Sequence, residues 1–229
     1  MSPSGEESRS DTRLRTRPGL AIGVLAGGRS RRMGRDKAFL ELGGRPMLTR
    51  VVGELSRLGL PLLVAAGKEG RDLPHLPADV TLVHDQSPHE GPMAGAIALM
   101  EALPPDCDRI FLCACDLPFM KAELVATLDA LLDATHDMLV PIAHSQPQVL
   151  AAFYRKTLLP EILRRFQAGD RKLRRLYDDF PTRFLDEEEL RRIDPLLISF
   201  HNLNRPEDLE QAQRILDASP DPNHENESC

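Results

Sequence analysis

The sequence predicts an α/β protein with a single doubly wound, mostly parallel sheet and helices on both faces. Three observations carry that expectation. Short apolar runs alternate along the chain with amphipathic stretches, the order that crossover connections between parallel strands require. Runs such as IFLCA and LLVAA are apolar at successive positions, as strands covered on both faces are. The first run ends directly in a glycine-rich basic segment, at the strand edge where open α/β sheets receive ligands.

In chain order, LAIGVLA (20–26) reads as a strand, the segment from Pro46 to Leu58 as a helix, and LPLLVAA (60–66) and VTLVH (80–84) as two strands. A helix from Pro92 to Ala102 follows, then the strand RIFLCA (109–114), a helix from Lys121 to Leu132, and the strands MLVPIA (138–143) and VLAAFY (149–154). Helical stretches around Leu158 to Phe166 and Arg171 to Tyr177 lead to the run LLISFHNL (196–203), read as a strand, and a last helix from Pro206 to Leu216. Residues 1–18 and 219–229 lack periodicity and read as solvated tails, leaving 19–218 as one domain.

Composition narrows the function. With 229 residues, 41% of them hydrophobic, the chain can bury a sizeable core. Lys plus Arg at 29 against Asp plus Glu at 35 gives a net charge of -6, which argues against coating nucleic acid or an anionic membrane and points to small-molecule partners. No apolar stretch approaches the roughly 20 residues of a membrane span, and residues 1–18 have no apolar core of a secretory signal. Cys107, Cys113, Cys115 and Cys229 show no paired spacing, so they read as reduced thiols of a cytoplasmic protein.

The strongest feature is the segment LAGGRSRRMGRDK, from Leu25 through Ala26, Gly27, Gly28 and Arg29 to Lys37. Gly27 and Gly28 let the backbone approach an anion, amides there can point at phosphate oxygens, and Arg29, Arg31, Arg32 and Lys37 can offset the charge. It fits neither the Walker A spacing nor GxGxxG. The plainer alternative is a basic surface turn. Asp116 follows the IFLCA run and precedes Leu117-Pro118, so it sits at a strand end, where a hard divalent cation finds a carboxylate ligand. Asp85 ends VTLVH in the same way. Each aspartate can instead merely open a turn or cap a helix.

LAGGRSRRMGRDK resembles the signature of the nucleotidyltransferases, particularly the molybdenum cofactor guanylyltransferases, written LAGGxSxRMGxDK. The resemblance continues at His84-Asp85, at Glu90-Gly-Pro-Met-Ala-Gly95, at Cys115-Asp-Leu-Pro118 and at Asn202-Leu-Asn-Arg-Pro-Glu-Asp208. It implies a Rossmann-like nucleotidyltransferase fold and transfer of GMP from GTP to the terminal phosphate of molybdopterin, with loss of pyrophosphate. Lys37, Arg32 and Asp116 are then the catalytic candidates, and Asp116 the Mg²⁺ ligand. Leu25, Ala26, Gly27, Gly28, Arg29, Lys37, Asp85, Gly91, Gly95, Asp116 and Asn204 are the candidates for nucleotide contact. Asn204 is equally readable as a helix N-cap. The implied partners are GTP, molybdopterin with or without molybdenum, and molybdoenzyme-maturation proteins, with neither nucleic acid nor membrane.

Two departures from the family pattern stand out. Ala65-Ala66-Gly67 occupies the place of a common Asn, removing a side-chain hydrogen bond from base recognition, and Val149 replaces a usual Pro. The basic segment from Gly169 to Tyr177 reads first as a solvated helix face and second as help for the pterin phosphate. The histidines show no metal-ligand spacing, and none is assigned to a metal. Alternatives are a cytidylyltransferase, a transferase acting on another phosphorylated metabolite, or a non-catalytic nucleotide-binding protein.

Overall fold

The structure is a computed structural model that describes residues 14–26, 36–84 and 91–218. Its strands are β1 (Leu20–Leu25), β2 (Glu41–Leu42), β3 (Arg45–Pro46), β4 (Leu62–Gly67), β5 (Thr81–His84), β6 (Arg109–Ala114), β7 (Met138–Ala143), β8 (Gln146–Pro147), β9 (Ala151–Arg155) and β10 (Thr182–Leu185). Its helices are α1 (Met47–Ser56), α2 (Pro92–Glu101), α3 (Ala122–Leu131), α4 (Leu159–Gln167), α5 (Glu187–Arg191) and α6 (Pro206–Ala218).

The main sheet runs β10-β7-β9-β6-β1-β4-β5, with β8 hairpinned onto β7, and β2 and β3 form a separate small ribbon. β1 is parallel to both β4 and β6, β4 to β5, and β7 to β10. β9 is antiparallel to both β6 and β7. The sheet is therefore mostly parallel but carries one reversed strand inside it, reached without a helical crossover.

The continuous apolar runs have a simple cause. Leu20, Ile22 and Val24 of β1 pack on one face with residues of α1 and α3, whereas Ala21 and Leu25 pack on the other with residues of α2 and α4. Alternating side chains meet two cores, so no position can be polar. At Gly23 an added Cβ would lie 2.6 Å from Ile110 Cδ1 and 3.0 Å from Leu99 Cδ1; a missing side chain there lets α2 approach the sheet. α2 is buried from Met93 to Met100, which explains why it is apolar nearly all round.

Several expectations need correction. LLISFHNL is not a strand: Ile198–Phe200 forms a 3₁₀ turn, entered through Leu197 at φ 52°, and the Asp194 carboxylate accepts the Ser199 amide at 2.9 Å. The helix expected over Arg171 to Tyr177 is a 3₁₀ segment, Leu173–Asp178. β10 and α5 were not expected, although Asp186 and Glu189 form a capping box at the start of α5. Residues 14–18, expected as tail, are docked. Leu14 packs against the core, and Arg17 donates to Asp129 through its amide at 2.8 Å.

Asp129 is fully buried on α3 and receives Arg109 Nε at 2.9 Å and Nη2 at 3.2 Å, while Arg109 also donates to the carbonyls of Arg17 and Pro18. Burial disfavours the charged carboxylate, but the bonds from Arg109 and Arg17 outweigh it and hold its pKa below the usual value. Asp129 therefore contributes stability that is present above about pH 4 and is lost as pH falls through its depressed native pKa. Asp129→Asn should lower unfolding stability at pH 7 by about 2 kcal/mol, because it takes the buried carboxylate from Arg109 and leaves it the exposed Asp108 at 2.9 Å. Urea titrations at pH 7 and in acid should also show a smaller acid loss than in the wild-type chain.

Candidate active site

The site lies along the rim formed by the C-terminal ends of β1, β4 and β6. Register brings Leu25 opposite both Ala65 and Ala114, so three chain exits open side by side. After β6 the Cys115 amide donates to the Leu25 carbonyl at 3.1 Å, and the Leu117 amide turns back to Ala114. This turn presents Asp116 at the rim. Its neighbour Cys115 is buried, and burial, reinforced by the Asp116 charge, pushes its thiol up to about 12. Cys107 and Cys113 are likewise buried free thiols.

Lys37 begins a 3₁₀ turn, Lys37–Phe39, capped by Asp36, whose Oδ1 accepts the Ala38 amide at 3.1 Å. From there its Nζ donates to Asp116 Oδ2 at 2.7 Å and to Asn204 Oδ1 at 2.8 Å. The other carboxylate oxygen, Asp116 Oδ1, is buried and accepts no hydrogen bond among the described residues. A buried acceptor without a donor is costly unless something else supplies positive charge.

Asn204 lies two residues ahead of α6, and Asp208, in the first turn of that helix, reaches back so that its Oδ2 accepts the amides of Asn204 and Arg205 at 2.8 Å each. The Asn204 side chain is thereby left to Lys37. Leu203 anchors the segment twice: its amide donates to the Asp116 carbonyl at 3.0 Å, and its side chain is buried with Leu40, Leu42 and Met47. Asn202 is exposed.

The remaining expected residues divide. Gly27, Gly28, Arg29, Arg32 and Asp85 lie outside the described residues. Leu25 and Ala26 turn their side chains into the core, and their carbonyls are taken by Cys115 and Arg71. Gly95 is buried within α2, whereas Gly91 is exposed just ahead of Pro92. Among the basic residues near Tyr177, Arg171 stacks over Phe166 at 3.9 Å and Arg175 pairs with Asp170 at 3.1 Å. Leu173 and Leu176 bury the inner side of that segment, so the solvated-face reading fits it.

Sequence reasoning missed Arg71 and Asp36. The Arg71 guanidinium clasps Asp36 and the carbonyls of Ala26 and Ala66. It also borders a cavity of about 390 Å³, walled by Leu73, Pro74, Leu76, Val80 and His84 among others. The only available signal was an Asp directly before Lys37. Among the described residues no cluster of three or more His, Cys, Asp or Glu is arranged to hold a metal, and no helix is long and apolar enough to cross a membrane.

Gly91 has φ 92° and ψ -176°, a region essentially closed to residues with a Cβ. Gly91→Ala should therefore cost about 1–3 kcal/mol in stability. Its cause is backbone strain, since nothing among the described residues lies within 4 Å of the new methyl. A lowered melting temperature in scanning fluorimetry checks this.

A profile of the MobA-like NTP transferase domain matches residues 22–187. The chain is 32% identical to the molybdenum cofactor guanylyltransferase of Desulfosudis oleivorans, over 85% of this chain and 95% of that protein. It is 34% identical to the molybdenum cofactor guanylyltransferase of Rhizobium leguminosarum bv. trifolii, over 85% and 92% respectively. Among solved structures, molybdopterin-guanine dinucleotide biosynthesis protein A of Archaeoglobus fulgidus superposes with a TM-score of 0.73 at 26% identity, covering 86% of this chain and 99% of that one. The 2-C-methyl-D-erythritol 4-phosphate cytidylyltransferase of Thermus thermophilus shares the fold, with a TM-score of 0.63 at 18% identity over 86% of this chain and 98% of that one.

Proposed function

The chain belongs to the MobA-like NTP transferases, within the molybdenum cofactor guanylyltransferase family, and from that membership we propose that it transfers GMP from GTP to the terminal phosphate of molybdopterin. A phosphate oxygen of the cofactor attacks the α-phosphorus of GTP. One P–O bond forms, the bond to the β-phosphate bridge breaks, and pyrophosphate leaves with the electron pair. The attacking phosphate is largely ionised at neutral pH, its second pKa being about 6, so no general base is needed.

The observation that carries this reading is the Lys37–Asp116 pair at 2.7 Å, with Asp116 Oδ1 buried beside it and accepting no hydrogen bond among the described residues. That oxygen fits a hard divalent cation, which takes one or two carboxylates together with phosphates and water. Asp116 would hold Mg²⁺. Bound there, Mg²⁺ would neutralise phosphate charge and orient the triphosphate oxygens. Lys37, with Arg29 and Arg32 of the glycine-rich segment, would bind the triphosphate and offset charge as it develops on the leaving pyrophosphate. Gly27, Gly28, Gly91 and Asp85 would contact the nucleotide, and Asn204 would hold the Lys37 ammonium in line.

A cytidylyl reading has one observation in its favour. Ala65 and Ala66 are buried and the Ala66 carbonyl is occupied by Arg71, so neither side chain offers a base the hydrogen bond that a family Asn would. Pyrophosphate release by purified protein with molybdopterin, Mg²⁺ and each of GTP, CTP, ATP and UTP separates the readings. Release with GTP is expected. Faster release with CTP would install the cytidylyl reading, and binding without release would make the chain a nucleotide carrier.

Lys37→Ala and Asp116→Ala should each lower turnover at least about tenfold, roughly 1.4 kcal/mol in the barrier. Circular dichroism should show both variants folded. Near-normal turnover in either removes that residue from the mechanism.

A further inference from the structure

Arg71 stands in the turn after β4, outside every motif the sequence offers, yet all three of its guanidinium nitrogens are engaged. Nε donates to Asp36 Oδ2 at 3.0 Å, and Nη2 reaches both Asp36 oxygens at 2.6 Å. Nη1 donates to the carbonyls of Ala26 at 3.0 Å and Ala66 at 2.8 Å. One planar fork thus ties together the chain leaving β1, the end of β4 and the residue immediately before Lys37. Asp36 passes the constraint on, because its Oδ1 also accepts the Ala38 amide at 3.1 Å and so orders the turn on which Lys37 rides. From that turn Lys37 Nζ reaches Asp116 and Asn204.

We propose that Arg71 is a positioning residue for the transfer reaction: through Asp36 it fixes the Lys37 turn against the ends of β1 and β4, so that the ammonium meets the triphosphate already in place. The proposal rests on the reading that Lys37 contacts the nucleotide. Its physical basis is preorganisation. A lysine on a free tether must be ordered when the nucleotide arrives, whereas one on a clamped turn has already lost that freedom. The clamp demands arginine in particular, since a lysine ammonium cannot present two parallel N–H groups to one carboxylate while also bonding two carbonyls. With its donors directed at Asp36 and the two carbonyls, Arg71 acts through Lys37 rather than on substrate.

The test compares full-length Arg71→Lys, Arg71→Ala and Asp36→Asn with wild type, varying nucleotide and molybdopterin separately, well below each melting temperature. In Arg71→Ala the KM for the nucleotide should rise at least about tenfold, while the KM for molybdopterin should stay within about twofold. Arg71→Lys should not restore the nucleotide KM. Millimolar guanidinium ion should restore it in part for Arg71→Ala and not for Lys37→Ala. The double variant Asp36→Asn/Arg71→Ala should be no worse than the poorer single variant, as partners in one clamp are.

A lower melting temperature with unchanged nucleotide KM, or full function in Arg71→Lys, would reduce Arg71 to a brace of the fold and overturn the proposal. Thermal shift with each of GTP, CTP, ATP and UTP keeps this apart from the reaction itself. If the wild-type chain is stabilised by a triphosphate but releases no pyrophosphate, the transfer reading fails. The clamp is then judged by whether Arg71→Ala loses that stabilisation. A wild-type chain that no triphosphate stabilises overturns both.

Discussion

The parallel alignment of β1 between β4 and β6 is the constraint from which the rest of the molecule follows. It is held by backbone ladders in which Leu25 faces both Ala65 and Ala114, and by two apolar cores that seal the strands from either side. Parallel strands end together on one rim, so whatever follows each of them is delivered to the same place. After β1 comes the segment leading to Asp36 and Lys37, after β4 comes Arg71, and after β6 comes Asp116. The meeting of these charged groups needs no unusual geometry in the sheet: it needs neighbouring strand ends, each followed in the chain by a charged side chain, over a packed layer.

Charge at the rim is arranged in two linked pairs. Arg71 with Asp36 forms one, Lys37 with Asp116 the other, and Asp36 and Lys37 are neighbours in the chain. Both pairs are partly covered, with side-chain exposures between 15% and 35%, so water screens them less than it would a surface pair. Each cation is held by a carboxylate, and one carboxylate oxygen, Asp116 Oδ1, accepts no hydrogen bond among the described residues.

The central strands were legible because burial on two faces leaves a run of apolar residues that few other structures produce. LLISFHNL looked the same and is not a strand. Leu197 adopts a left-handed conformation and Asp194 captures the Ser199 amide, so the apolar side chains are tucked inward by a tight turn. β10 escaped notice for the opposite reason, as an edge strand of four residues, TRFL, that is only half covered. Lys37, Asp116 and Asn204 could be picked out from residue type and position beside strand ends or ahead of a helix. Their meeting could not, because it depends on Leu203 bonding the Asp116 carbonyl across the fold. Arg71 carries no local mark at all: Lys-Glu-Gly-Arg reads as any solvated turn, and only the spatial neighbourhood of Ala26, Asp36 and Ala66 gives it a purpose.

The contact between Lys37 and Asn204 spans 167 positions of sequence. α6 supports it with a second long bridge, from the Gly43 amide to Gln213. During synthesis the amino-terminal strands emerge first, and they can pair before the segment that supplies Asn204, just ahead of α6, has left the ribosome. The nascent protein thus passes through a stage in which the sheet can form while the lysine still lacks its far partner. Arrival of the segment around Asn204, rather than pairing of the amino-terminal strands, completes the contacts of Lys37 described above.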